Sequence, residues 1–236
     1  MILNEQGRLL LPLADEQIHR PQDILDLFNN GTSQSFGFIK LGASNTVGNH
    51  IVPMLLSDFK ARVLQNERHL KQSLVMGNSV PIKQKLKAFE IDLGLVEADI
   101  SDDVFHCQKW LTDKMLIVSS VDHPLVNQKN MTINALEKEA WVLREADSGT
   151  RYFFIHHIAN KFTHYHVNLE LQTTEAIINS VSEGLGLSCL SQYSAQHALK
   201  DNRLIALNLA PQWQLKLQRD YWIVCHKKKY QSTSLK

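Results

Sequence analysis

Short apolar runs separated by amphipathic helical patterns fill the chain from residue 36 onward. The first part predicts strands at 36–43, 69–76 and 91–96, with helices around 51–59 and over 79–89. The last of these strands contains Leu93-Gly94-Leu95-Val96 and few polar residues, which is typical of a strand covered on both faces. The order strand–helix–strand–helix–strand predicts a mostly parallel sheet.

A second, similar series follows the first. The pattern predicts strands at 115–119, 140–143, 167–171, 185–190 and 221–225, and helices at 149–161, 174–183 and 191–199. Gly184 and Gly186 supply a helix stop before the fourth of these strands. The chain is therefore predicted to be an α/β protein with two Rossmann-like lobes.

Residues 4–29 form a separate N-terminal helical pattern, with Asn4 as its N-cap and with Pro12 and Pro21 interrupting it. The polar stretch 29–33 is the strongest linker signal in the sequence. The apolar stripe of this helix needs a cover. A partner helix, an absent domain and packing on its own domain all remain open.

Composition narrows the function classes. The chain has 236 residues, 44% of them hydrophobic, and a formal net charge of +1, so it lacks the basic excess of most nucleic-acid-binding surfaces. No secretion signal or membrane-spanning apolar run is found, so we expect a cytoplasmic protein without membrane contact. Its three cysteines and its histidines lack metal-ligand spacing, so no metal is predicted.

Small hydroxyl and amide side chains recur where a predicted strand passes into a helix. Backbone N–H groups are unpaired at a helix start and carry a positive partial charge, so such junctions bind anions readily. The alternative is that these side chains only cap their helices. The candidate ligand-binding residues are Ser44, Asn45, Thr46, Asn78, Ser79, Ser148, Gly149, Thr150, Arg151, Thr173 and Thr174.

Arg151 lies in a first helical turn, where a cation opposes the helix dipole. Either a carboxylate such as Asp147 or Glu175 offsets its charge, or the arginine concentrates positive charge for an anion. No phosphate-binding loop, dinucleotide fingerprint or nucleophile elbow is found, so neither an enzyme nor a cofactor is predicted.

An ordered set of landmarks resembles the LysR-type bacterial transcription regulators without their N-terminal winged helix-turn-helix. The set covers nearly the whole chain in family order. It comprises residues 41–49 (LGASNTVGN), 75–79 (VMGNS), 92–97 (DLGLVE), 122–125 (DHPL), 141–145 (WVLRE), 148–151 (SGTR), 174–177 (TEAI) and 184–188 (GLGLS).

The resemblance implies a fold like the type 2 periplasmic binding proteins, preceded by an N-terminal helix. Residues 1–33 would be the remnant of the linker helix and 34–236 the effector-binding domain. Within that domain, lobe I would hold 34–111 plus 214–236 and lobe II 112–213.

The same resemblance implies a function and partners. A small anionic effector would bind in the cleft between the lobes and control DNA binding or transcription by the full-length protein. The partners would be a second copy in a homodimer or homotetramer, and DNA only through the missing N-terminal domain. A solute-binding protein of a transport system is the alternative, because it shares this fold.

Overall fold

A computed structural model describes residues 38–63, 71–97, 102–214 and 217–229, together with residues 4, 6, 7, 10 and 14. The chain divides into two compact units, residues 1–109 with 222–236 and residues 110–221. The described strands are β1 (Phe38–Ser44), β2 (Lys71–Gly77), β3 (Leu93–Val96), β4 (Phe105–Ser119), β5 (Ala140–Arg144), β6 (His166–Leu171), β7 (Ser188–Ser191), β8 (Ile205–Ala206) and β9 (Gln218–His226). The described α-helices are α1 (Asn45–His50), α2 (Val52–Val63), α3 (Ser79–Lys87), α4 (Gly149–His157), α5 (Thr174–Ser182), α6 (Gln192–Lys200) and α7 (Pro211–Gln214).

The first unit contains a sheet in which β1 lies between β2 and β3. β1 runs parallel to both β2 and β3, as the alternation of elements predicted. β3 then pairs with β9 in antiparallel fashion, with Leu95 opposite Ile223. This arrangement brings the carboxyl ends of β1 and β2 together, with Ser44 opposite Gly77.

Helix α3 covers this sheet with residues one turn apart. Ile82 and Leu86 are fully buried and pack in a cluster with Ile91, Phe105 and Val224. An i, i+4 pair lies on one face of a helix, so this spacing produces the apolar stripe that the strands need.

The second unit combines parallel and antiparallel pairs. β5 and β6 are parallel, whereas β4 pairs with β7 and β8 in antiparallel fashion. Adjacent residues of β5 pack into two different clusters of buried side chains. Trp141 belongs to one cluster and Val142 to the other. Successive side chains of a strand point to opposite faces, so β5 is covered on both sides, as its apolar sequence predicted.

The chain passes from one unit to the other inside two strands. The divisions after residue 109 and before residue 222 fall within β4 and β9. In the first unit the backbone N–H of Lys227 donates to the carbonyl of Val104 at 2.9 Å. In the second the N–H of Met115 donates to the carbonyl of Leu217 at 2.8 Å.

Several predicted boundaries were wrong. β4 begins at Phe105 rather than 115, β7 at Ser188 rather than 185, and β9 at Gln218 rather than 221. Helix α4 ends at His157 and is followed by a 3-10 turn over Ala159–Lys161, not by a helix extending to 161. The early residues of β4 are largely polar or partly exposed, so they present no apolar run to the sequence pattern.

Gly184 and Gly186 confirm the predicted helix stop. Their φ angles are +79° and +143°, which L side chains rarely adopt. The N–H groups of Gly184 and Leu185 donate back to the carbonyls of Val181 and Ser180 at the end of α5. This reversal is the usual glycine termination of a helix.

Most of the predicted N-terminal helix and all of the linker at 29–33 lie outside the described residues. Residues 6, 7, 10 and 14 are helical, and Asn4 Oδ1 accepts from the N–H of Gly7 at 2.8 Å, which confirms Asn4 as a cap. Among the described residues, no helix is both long and apolar enough to cross a membrane.

Candidate functional site

Two of the predicted junctions meet in the first unit. Asn45 begins α1 directly after β1, and Asn78 precedes α3 directly after β2. The Asn45 Nδ2 donates to Asn78 Oδ1 at 3.2 Å. The parallel pairing of β1 with β2 therefore brings these two helix starts together, because the carboxyl ends of parallel strands share one edge of a sheet.

Ser44 and Asn78 occupy N-cap positions without acting as side-chain caps. Neither side chain accepts a bond from its own helix start. Ser44 is 2% exposed, and its Oγ has no hydrogen-bond partner among the described residues. A buried hydroxyl without a partner is unfavourable, so capping does not explain Ser44. Thr46 is also buried, whereas Ser79 is partly exposed.

The other two junctions meet in the second unit at the ends of β5 and β6. Arg144 and Leu171 are register partners there, and helices α4 and α5 begin a few residues beyond them. The guanidinium of Arg144 forms a two-bond pair with the Glu145 carboxylate at 2.7 and 2.8 Å. Its Nη1 lies 3.5 Å from Thr174 Oγ1, so Arg144 links β5 to the start of α5.

Arg151 forms an internal ion pair. Its Nη1 contacts the carboxylate of Glu170 and also donates to the carbonyl of Arg144 at 2.8 Å. Glu170 lies on β6, so the pair joins α4 to the neighbouring strand. The offsetting carboxylate is therefore Glu170 and not Asp147 or Glu175. The Glu175 Oε1 instead lies 4.0 Å from the Arg203 Nη1.

The two junctions of the second unit differ in capping. Thr173 Oγ1 accepts from the N–H of Ala176 at 3.3 Å and so caps α5. Ser148 occupies the same position before α4, is 3% exposed, and makes no side-chain capping bond. Gly149 and Thr150 follow it as the first two residues of α4, and Thr150 is also buried. The capping alternative therefore accounts for Thr173 but not for Ser148.

A buried polar cluster lies against Thr150. The Arg219 Nη1 donates to Thr150 Oγ1 at 3.3 Å, and its Nε donates to Asp113 Oδ2 at 3.1 Å. Its Nη2 donates to the hydroxyl of Tyr221 at 3.0 Å, and that hydroxyl donates to Asp113 Oδ2 at 2.6 Å. All four side chains belong to the second unit and are buried. Thr150 is therefore held by a charged network as well as by its own helix.

The sequence prediction missed this network. A signal for it exists in β4, where Asp113 is in phase with the buried residues Met115 and Ile117. Arg219 and Tyr221 share a similar alternating phase in β9. Charged residues at core positions of two strands indicate a buried ion pair, because an isolated buried charge is strongly unfavourable.

Cys189, on β7, lies close enough to this network to be influenced by its charges. Burial raises the pKa of the Cys189 thiol to about 12, while the positive charge of Arg219 acts in the opposite direction. The thiol is therefore protonated at neutral pH. Among the described residues, no group of three or more His, Cys, Asp or Glu side chains is placed to hold a metal ion.

Comparison with known proteins identifies the family. The family model described as the LysR substrate binding domain matches residues 33–236. The chain belongs to the LysR substrate-binding domain family. This LysR domain is 30% identical over 238 residues to the uncharacterized HTH-type transcriptional regulator YeiE of Escherichia coli K12, a match that covers 100% of this chain and 76% of YeiE.

Solved structures agree with this family. The regulatory domain of CcmR from Synechocystis PCC6803, in complex with 2-PG, has a TM-score of 0.74 and 26% identity, over 84% of this chain and 92% of that chain. The effector binding domain of QuiR in complex with shikimate has a TM-score of 0.72 and 20% identity, over 85% of this chain and 92% of that chain. The LysR domain therefore has the predicted α/β fold of the type 2 periplasmic-binding-protein class.

The relatives decide between the two predicted functions. The curated relatives that match are named as transcriptional regulators or activators, so the regulator is favoured over the solute-binding protein of a transport system. The same names fit a protein that is not an enzyme.

Proposed function

We propose that this LysR domain senses a small anionic metabolite or oxyanion through the polar groups at its helix starts. The observation that carries the proposal is the buried N-cap serine that does not cap, found in both units as Ser44 and Ser148. Helix starts offer unpaired N–H donors and a positive partial charge, which suits a negatively charged ligand.

The charges of the second unit favour a ligand held by neutral donors. Arg144, Arg151 and Arg219 are each paired with a carboxylate, namely Glu145, Glu170 and Asp113. Hydroxyl and backbone N–H groups would then supply the contacts, with Ser148, Gly149 and Thr150 as the principal residues. The CcmR domain, which resembles this chain at 26% identity, is described as a complex with 2-PG and supports a small ligand of this kind.

The remaining parts of the function follow from the family. The ligand would favour one arrangement of the regulator over another, with a coupling of roughly 1 to 3 kcal/mol. We propose that DNA is contacted by a helix-turn-helix outside the matched residues, that the regulator acts in the cytoplasm, and that this domain has no catalytic activity.

A thermal-shift screen tests ligand binding. Sulfate, sulfite, phosphate, 2-PG and shikimate would each be added at matched ionic strength, with chloride as the reference. A ligand at one hundred times its dissociation constant stabilises the native state by about 2.7 kcal/mol. We expect at least one of the anions to raise the melting temperature.

Variants locate the response. Thr150→Val and Ser148→Ala remove hydroxyls at the start of α4, and both should reduce the anion-dependent shift. Ser182→Ala is the matched control, because the Ser182 hydroxyl donates to the Asn179 carbonyl of its own helix at the C-terminal end of α5. A shift that survives in Thr150→Val and Ser148→Ala would refute the assignment of the site.

We also propose that the domain forms a homodimer, or pairs within a homotetramer, through an apolar surface of the first unit. Exposed apolar side chains lie on α2, β2 and α3, and they are Met54, Leu55, Val75, Met76 and Val80. Large exposed apolar side chains are typical of an interface when they form one patch, and we propose that these five do. The predicted contribution of residues 9–28 lies almost entirely outside the described residues.

Sedimentation equilibrium tests this pairing. Val80→Asp should shift the protein toward monomer, because a carboxylate would be buried in the interface. Tyr152→Asp is the control, since Tyr152 is 62% exposed and lies in the second unit. A wild-type protein that remains monomeric at high micromolar concentration would contradict the proposal.

A further inference from the structure

We propose that Arg219 is a positioning residue that fixes the Thr150 hydroxyl as a hydrogen-bond donor toward the bound anion. The inference rests on the proposed function, because it assigns a role within the same ligand site. The inference extends the site to residues outside the helix starts. It also restricts the ligand to one whose contacting atoms accept hydrogen bonds.

The guanidinium of Arg219 is held on two sides. Its Nε donates to Asp113 Oδ2 at 3.1 Å, and its Nη2 donates to the Tyr221 hydroxyl at 3.0 Å. The Tyr221 hydroxyl also donates to Asp113 Oδ2 at 2.6 Å, so the three side chains form a closed ring of hydrogen bonds. A guanidinium is planar and its donors have fixed directions, so these contacts determine where Nη1 points.

That remaining nitrogen points at Thr150. Nη1 lies 3.3 Å from Thr150 Oγ1 and can only donate, so the threonine oxygen accepts. The hydroxyl hydrogen must then be directed away from Arg219. A hydroxyl that accepts a charge-assisted bond is also polarised and becomes a better donor in turn.

Thr150 lies where its hydroxyl can donate to a ligand at the start of α4. It is the second residue of the nine-residue helix α4, beside backbone N–H groups that have no partner within the helix. Donors from the backbone and from Thr150 would face the same ligand. A site made only of donors favours ligand atoms that can only accept hydrogen bonds. It would therefore bind a deprotonated oxyanion or carboxylate in preference to a neutral alcohol or a protonated acid.

The charge of Arg219 itself is already offset. Asp113 is fully buried and lies in direct contact with the guanidinium, so the pair as a whole is neutral. Arg219 would therefore act by orienting and polarising the Thr150 hydroxyl, not as the counter-ion of the ligand. Affinity should accordingly depend only weakly on salt concentration, because few exposed charges are involved.

A double-mutant cycle tests the inference. The probes are inorganic sulfate and inorganic phosphate, with dissociation constants measured by isothermal titration calorimetry on the whole chain. The variants are Thr150→Val, Tyr221→Phe and Arg219→Gln, with the last two made both singly and combined with Thr150→Val. Thr150→Ser is the rescue control, because serine retains the hydroxyl.

We expect Thr150→Val to weaken binding about tenfold, as loss of one charge-assisted donor does. Arg219→Gln and Tyr221→Phe should weaken binding when Thr150 is present, but each should change it less than about twofold in the Thr150→Val background. Thr150→Ser should bind nearly as the wild type. Tyr221→Phe retains the buried ring and the ion pair, so it keeps the test decisive if Arg219→Gln does not fold.

The possible failures are distinct. If the wild type binds neither probe and no anion of the thermal-shift screen stabilises it, the proposed function is refuted, and the role of Arg219 with it. Binding that Thr150→Val weakens but Tyr221→Phe and Arg219→Gln leave unchanged would overturn the positioning role alone. Equal losses in the wild-type and Thr150→Val backgrounds would also overturn it, because Arg219 would then act independently of the threonine.

Discussion

Arg219 Nε lies 3.1 Å from Asp113 Oδ2, and both side chains are buried in the second unit. Asp113 comes from β4 and Arg219 from β9, so the pair joins two strands that lie far apart in the sequence. Desolvation of both charges offsets much of their attraction, and the pair is better regarded as a constraint on geometry than as a large net source of stability.

Removing one partner of this pair should be more damaging than removing both. Arg219→Met leaves the Asp113 carboxylate buried without a counter-charge, and we expect a loss of about 3–5 kcal/mol in the free energy of unfolding. Arg219→Met combined with Asp113→Leu should recover most of that loss. Urea unfolding followed by circular dichroism measures both, and a double variant as unstable as the single one would contradict this account.

Cys189 should be unreactive in the folded protein. Its thiol is buried and its pKa is raised to about 12, so the nucleophilic thiolate is scarce at about pH 8. Iodoacetamide labelling followed by peptide mass spectrometry should modify the partly exposed Cys107 first. Labelling in urea should modify all three cysteines, and native labelling of Cys189 at the rate of Cys107 would count against its burial.

Gly186 should not tolerate a side chain. Its φ of +143° disfavours other residues, and a Cβ there would lie 2.5 Å from the carbonyl oxygen of Ala140. We expect Gly186→Ala to lower the free energy of unfolding by at least about 1 kcal/mol. Gly77→Ala is the matched control, since among the described residues its Cβ would meet only Pro81, at 3.9 Å, and it should change stability by less than about 0.5 kcal/mol.

Asp102 should contribute to acid sensitivity over a defined pH range. Its hydrogen bond with Lys87, assisted by the N–H of Val104, lowers its pKa from 3.8 to about 2. A carboxyl group with a lowered native pKa adds stability above its unfolded pKa, and this contribution disappears as the pH falls through the native pKa. Asp102→Asn should therefore be less stable than the wild type at about pH 6, and the difference should vanish between about pH 4 and about pH 2. Urea midpoints over this range would show whether the two curves converge.

The fold of the first unit could be predicted largely from its pattern. Apolar runs such as Leu93–Val96, separated by helical patterns, give parallel strands because both faces of the sheet are covered. The sequence pattern predicted only the apolar C-terminal end of β4. Its earlier residues alternate or are exposed, and the buried charge of Asp113 removes the apolar phase on which such predictions rest.

The positions of the helix starts could be predicted from the sequence, but the hydrogen bonds of their side chains could not. Ser148 and Thr173 have the same sequence context, a hydroxyl residue between a strand and a helix, yet only Thr173 caps its helix. Side-chain rotamers decide this difference, and a sequence pattern does not contain them. Arg219 escaped prediction for another reason, because its contact with Thr150 joins residues that only the folded chain brings together.

The discontinuous make-up of the first unit has a consequence for biosynthesis. Residues 110–221 are contiguous, so this unit leaves the ribosome as one stretch, whereas β3 must wait for β9, the last described strand to emerge. Until then one edge of the nascent sheet stays unpaired and open to aggregation. A premature stop before β9 would thus spare most of the later-made unit and leave the earlier-made one incomplete.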